Sequence, residues 1–234
     1  MFDLQVFDLQ AYVAIKLLHL LLFVYWLGGD IGVFYSASVV RDRNLSVEGR
    51  RVALQILGWI DQIPRYCLVL TLPVGYALAR QLGVTAIPDG MLLGLWCFAA
   101  LWLWAVWFVH HRQGTPLAER VRKIDLYWRI VLATGLCWDA LQGLRGTGHI
   151  FADWLAIKFL LFAGMIFCGV AIRLRGRDLG PALRRLFAEG SNDATEAAVR
   201  ASFAKTRPFV LAIWVLLVCA AYTGVAKPTF GVAT

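Results

Sequence analysis

The chain has 234 residues, 60% of them hydrophobic, with ten tryptophans and a formal net charge of +8. Its mean hydropathy of +0.66 is far too high for a soluble domain of this length, so the sequence reads as an integral membrane protein in contact with the lipid bilayer. The cations are confined to particular connections, so the basic balance marks membrane sidedness and gives no reason to expect nucleic acid as a partner.

Apolar runs near 20 residues read as spanning helices. The sequence predicts an all-α, polytopic membrane bundle of one domain, 1–234, with six transmembrane helices at about 12–40, 64–82, 91–109, 128–144, 151–172 and 208–225. Asp3 and Asp8 precede the first cation, Lys16, and the first apolar run is too long for a cleavable signal peptide, so none is expected. That first run carries Lys16-Leu-Leu-His19 and Trp26-Leu-Gly28-Gly29-Asp30. At 100° per residue Lys16, His19, Phe23, Trp26 and Asp30 fall within a sector of roughly 80°, a polar and aromatic stripe facing protein or cofactor. Ionisable groups inside a span are costly and read by default as functional. Asp30, toward the inner half, is expected to pair with an arginine.

Between the first two spans, residues 44–63 mix arginines with Val52, Leu54, Ile56, Leu57, Trp59 and Ile60. Two readings stay open: an interfacial helix, or a continuation into the second span with kinks at Pro64 and Pro73. The third span, with Trp96, Trp102, Trp104 and Trp107, reads as packing and interface anchoring, and His110 and His111 as its polar cap. The fourth span is the weakest because it holds Asp139 and Gln142. The cytoplasmic loop 173–207 is predicted helical: Pro181 opens a segment that Gly190 closes, and Ser191 caps a second segment to about Lys205. Cys67, Cys97, Cys137, Cys168 and Cys219 each stand alone in an apolar run and read as packing residues. Met1, Met91 and Met165 form no ligand cluster, which speaks against copper chemistry.

Arginines and lysines follow the first, third and fifth spans and are nearly absent from the other connections. By the positive-inside rule those three loops are cytoplasmic and both termini lie outside. A rise of 1.5 Å per residue then places His19, Asp139 and Lys158 each roughly 10 to 12 Å below the outer surface. Arg80, Arg145 and His149 fall at the outer mouth, with Trp26, Trp138 and Trp154 as aromatic walls. An imidazole in an apolar site suits the axial position of a haem iron. His149 is the candidate sixth ligand. Lys158 is a candidate second ligand, proton carrier or carboxylate anchor, and Asp139 a candidate partner of Lys158.

Lys16-x-x-His19-x6-Trp26-x-Gly28-Gly29 resembles the first helix of the HemJ-type protoporphyrinogen IX oxidase family. Trp154-Leu-Ala-Ile-Lys158 is similar to that family's W-L-x-x-K helix, and Lys227-Pro228-Thr-Phe230 to its closing K-P-F. The resemblance covers the first, second, fifth and sixth spans and leaves the third and fourth as an insertion. The family's Asn-Glu-x-Pro is replaced by Lys205-Thr-Arg207-Pro208, and its Pro-Arg element after Gly29 by Phe34-Tyr-Ser-Ala-Ser. CopD-type membrane proteins share a similar W-x-G-G helix and are a weaker likeness. The HemJ resemblance implies a membrane protein binding haem b, with His19 and Lys158 at functional positions; catalytic roles are expected for Lys158 and, from its shared depth, for Asp139. Trp26, Arg80 and Arg145 are expected at the cofactor. The expected activity is oxidation of a porphyrinogen or similar hydrophobic reductant, with a quinone as acceptor. The competing expectations are a non-catalytic b-type cytochrome subunit serving a redox partner protein, and a metal or proton transporter. A bacterial-type inner membrane is the expected location, and the oligomeric state is left open.

Overall fold

The computed structural model describes residues 2–228, with side chains from residue 9 onward. Met1, the side chains of Asp3 and Asp8, and Phe230 of the closing motif lie outside the described residues.

Among the described residues the chain is helical in eight pieces: α1 (Phe2–Val40), α2 (Val47–Ile60), α3 (Gln62–Gln81), α4 (Asp89–His111), α5 (Pro116–Leu144), α6 (Asp153–Arg175), α7 (Leu179–Glu189) and α8 (Asp193–Ala226). The open question at residues 44–63 resolves into a separate helix. Ser46 caps α2 by accepting from Gly49 N at 3.1 Å, and Asp61 separates α2 from α3, which carries Pro64 in its first turn and Pro73 inside. The inner loop is corrected in three places. Its first helix, α7, opens at Leu179 and not at Pro181. Asn192, not Ser191, caps the last helix through Ala194 N and Thr195 N, while Ser191 Oγ donates to Glu196 Oε1 at 2.6 Å. No break occurs near Lys205, because α8 runs without interruption through Pro208 into the final apolar stretch. Likewise α5 starts at Pro116, where Thr115 accepts from Ala118 N, well before the predicted start at 128.

Six long helices meet as a closed ring: α1 on α3, α3 on α4, α4 on α5, α5 on α6, α6 on α8, and α8 back on α1. Its interior is the main hydrophobic core, including Leu22, Trp26, Val69, Leu72, Tyr76, Trp102, Phe159, Phe162, Ile166 and Leu217. Four helices, α1 from Leu9, α4, α6 and α8, are long and apolar enough to cross a membrane. Helices α3 and α5 fall short on composition: α3 carries Gln62, Arg65, Arg80 and Gln81, and α5 carries its charged first turns, Asp125, Arg129 and Asp139. Flanked by more apolar neighbours in the ring, these two helices turn part of their polar surface to protein, which lowers the apolarity each needs.

Helices α1 and α3 approach closely at Gly29, where a Cβ would stand 2.8 Å from Pro64 Cδ. The two ends of the ring differ. At one end, Arg50 of α2 donates from Nε to Val40 O at 2.7 Å and from its two Nη atoms to the Glu196 carboxylate of α8 at 2.6 and 3.1 Å. A smaller apolar cluster, Val40, Ala53, Ala182, Leu183, Leu186 and Val199, fixes α2 and α7 beside that pair. Trp59 of α2 packs edge-on against His110 and His111 at the end of α4. The basic connections therefore gather at one end of the ring, as the charge pattern predicts. At the other end, Ala86 N donates to His149 O and Phe151 N to Val84 O, tying the α3–α4 and α5–α6 connections by an isolated bridge.

Candidate functional site

A cavity of about 530 Å³ lies between α1, α3, α6 and α8, within the roughly 300–1,000 Å³ common for small-molecule sites. The α1 stripe is its first wall: Lys16, His19, Phe23 and Trp26 all line it, and Asp30 does not. The 3.6-residue period sets those four side chains on one face, and the buried Trp26 anchors it by edge contact with Phe162 of α6, ring centroids 6.1 Å apart. From α6 come Trp154, Lys158, Phe159 and Phe162; α3 contributes Thr71, Leu72 and Gly75; α8 contributes Leu217, Ala220 and Gly224, with Lys227 just past its end.

Small residues make room for the two ionisable groups. A Cβ at Gly75 would touch His19 Cε1 at 3.7 Å, and one at Gly224 would fall 2.7 Å from Lys158 Nζ. His19 Nδ1 is buried and has no hydrogen-bond partner. Among the described residues Lys16, Lys158 and Lys227 form no ion pair; Lys16 lies over the Tyr12 ring and Lys227 over the Trp154 ring, each at 5.7 Å. Among the described residues the lining contains three lysines and no carboxylate. An aromatic, cationic cavity of this kind suits a flat apolar body bearing anionic groups.

Asp139 is placed elsewhere. It accepts from Tyr76 Oη at 3.2 Å and lies 3.6 Å from His149 Nε2, so the expected Asp139–Lys158 pair does not form. The reason is the order of the ring: α6 lies between α5 and α8, and Lys158 turns to Gly224 of α8, away from Asp139 on α5. His149 stacks on Tyr76 and does not line the cavity with His19. Arg80 pairs with Asp89 and lines a separate groove with Ile15, Leu92 and Trp96. Arg145 is exposed at the end of α5, and Trp138 is 60% exposed. Asp30 has no arginine partner among the described residues, and its Oδ2 is buried without a hydrogen bond. Sequence reasoning underused Lys227 and passed over Gly75 and Gly224. For Gly224 the sequence offers only a small residue near the end of the last apolar run.

Among the described residues no group of three or more His, Cys, Asp or Glu is placed to hold a metal ion. A haem iron asks less of the protein, since the macrocycle supplies four donors and a single imidazole suffices. The His19 imidazole on the cavity wall, the aromatic walls and the lysines at hand for carboxylates fit that group. Compared with known proteins, the chain matches no family model, no curated protein and no solved structure.

Proposed function

We propose that this chain is a haem-b-binding membrane oxidoreductase that removes hydrogen from a porphyrinogen or a similar hydrophobic, anionic reductant and passes the electrons to a membrane acceptor such as a quinone. One observation carries the reading: a single aromatic cavity brings together His19 of α1 and Lys158 of α6, neither with a side-chain partner, and has no carboxylate among its described lining residues. The HemJ-type resemblance of the α1 and α6 motifs points the same way. In this reading α3 and α5 also cross the membrane, making six spans in all, the basic end of the ring is cytoplasmic, and the cavity opens toward the outer face of a bacterial-type plasma membrane.

His19, fixed by its place on the packed face of α1, would hold the haem. A haem bound there supplies an iron centre that exchanges single electrons. Lys16 and Lys227, exposed at the cavity mouth, hold carboxylates by charge. Lys158, deeper and against Gly224, positions an anionic group or carries a proton from the reacting carbon. Phe23, Trp26, Phe159 and Phe162 keep water from the apolar body of the ligand. Arg80 and Arg145, turned to other surroundings, leave carboxylate binding to these lysines.

The test is turnover. Purified full-length protein in detergent, given a porphyrinogen and a quinone, should produce fluorescent porphyrin faster than its His19→Ala and Lys158→Ala variants. Equal rates in all three would contradict the proposal.

A further inference from the structure

At the basic end of the ring, away from the cavity, a second group of buried charges is out of balance. Asp125 of α5 is buried and accepts from three helices: Trp102 Nε1 of α4 at 2.5 Å, Arg129 Nε of its own helix at 3.0 Å, and Arg173 Nη1 of α6. Two guanidiniums therefore share one carboxylate. Nearby Asp61 and Arg65 pair with each other, and Asp30 of α1, close to Asp61, has no arginine partner among the described residues. The Arg129 side chain is only 4% exposed, lies with Cζ 5.1 Å from the Trp102 ring centroid, and keeps Nη2 buried with no hydrogen-bond partner.

A water molecule satisfies an N–H group but not a surplus charge, and a buried, uncompensated guanidinium is costly. Of the two arginine side chains, that of Arg173 reaches the surface, at 24% exposure. The level of the cluster matters too. Arg173 directly follows the apolar run 151–172 of α6, and Arg129 stands at the start of the apolar part of α5. Both sit where an apolar core gives way to basic connections, the depth at which lipid phosphates lie. Guanidinium forks match phosphate oxygens in charge and geometry.

We propose that Arg129 and Arg173 form a binding site for a phosphate group, with the headgroup of an anionic phospholipid or free phosphate as the two sources of that chemistry. It neutralises the second guanidinium and fastens α5 to α6. Thermal unfolding of the full chain in neutral detergent tests it with three probes: phosphatidylglycerol, phosphatidylcholine of the same chains, and inorganic phosphate. Phosphatidylglycerol at about ten times its Kd should raise Tm by about 4 °C, phosphatidylcholine should not, and Arg173→Gln should lose the shift. Arg185→Gln, on an exposed arginine of α7 paired with Glu189, should keep it. A shift by phosphate alone that Arg173→Gln abolishes assigns the site to the free ion. Native mass spectrometry of the unaltered protein gives a second reading that needs no variant: one anionic phospholipid retained in preference to zwitterionic lipid. The proposal is overturned if neither anionic probe shifts Tm, if phosphatidylcholine acts equally, or if the shift survives in Arg173→Gln.

Discussion

Lys158 Nζ stands where a side chain at position 224 would begin: a Cβ on Gly224 would lie 2.7 Å from it. The glycine in α8 thus sets where the ammonium of α6 can rest. Because Nζ is the end of a flexible chain, Gly224→Ala should leave the fold intact and push the charge out of its place. We expect Gly224→Ala and Lys158→Gln each to weaken binding of an anionic porphyrin about fivefold, the worth of about 1 kcal/mol. Their effects should not add in the double variant, since both remove the same contact. A titration of tryptophan fluorescence reads this, and full additivity would show that the two residues act separately.

Gly28 and Gly29 are adjacent in the Trp26-Leu-Gly-Gly motif and have different jobs. Nothing lies within 4 Å of a Cβ at Gly28, whereas one at Gly29 meets Pro64 of α3 at 2.8 Å. Gly28→Ala should be neutral or stabilise by up to about 1 kcal/mol through helix propensity. Gly29→Ala should destabilise by about 1–3 kcal/mol through overpacking. Thermal unfolding of the two variants side by side checks the contrast, and equal Tm values would mean that α1 and α3 do not meet there.

The Arg50–Glu196 pair is almost wholly buried, at 0% and 2% side-chain exposure. Removing one partner leaves a naked charge beside the apolar cluster under α2 and α7. Glu196→Ala should therefore cost about 3–5 kcal/mol and lower Tm by roughly 10 °C. The double replacement Arg50→Met with Glu196→Leu should recover much of that loss, because both charges leave together. A double variant no better than Glu196→Ala would contradict the burial.

Tyr76 tests the separation of the two polar clusters. Its hydroxyl donates to Asp139 at 3.2 Å, and it does not line the cavity. Tyr76→Phe should cost about 0.5–1.5 kcal/mol of stability and leave ligand affinity within about twofold, inside the spread expected of distant sites. Asp139→Asn should behave alike. A large loss of affinity in either would place Asp139 at the site after all.

The contrast between His19 and Asp139 shows which features of this molecule were legible in its sequence. The α1 stripe was readable because helical periodicity is local: Lys16, His19, Phe23 and Trp26 share a face whatever the rest of the chain does. Azimuth was not readable, although a rise of 1.5 Å per residue assigns each group a depth. Three ionisable groups at one depth meet only if their helices turn them toward one another, and the ring order sends Lys158 to α8 while Asp139 turns to Tyr76. The same gap hid the pairing of Arg50 with Glu196, 146 positions apart, and the gathering of two arginines on Asp125. Helix ends were legible where a local cap decides them, as at Gly190, and not where a helix continues past a proline, as at Pro208.

The central claim is that His19 holds a haem in the cavity shared with Lys158. The most direct measurement is the visible absorption spectrum of the full chain, purified in detergent, supplied with haem and then reduced. The account predicts a b-type spectrum in the unaltered protein and its loss in His19→Ala, with His149→Ala unchanged. No such spectrum in the unaltered protein, or one that persists in His19→Ala, would contradict it.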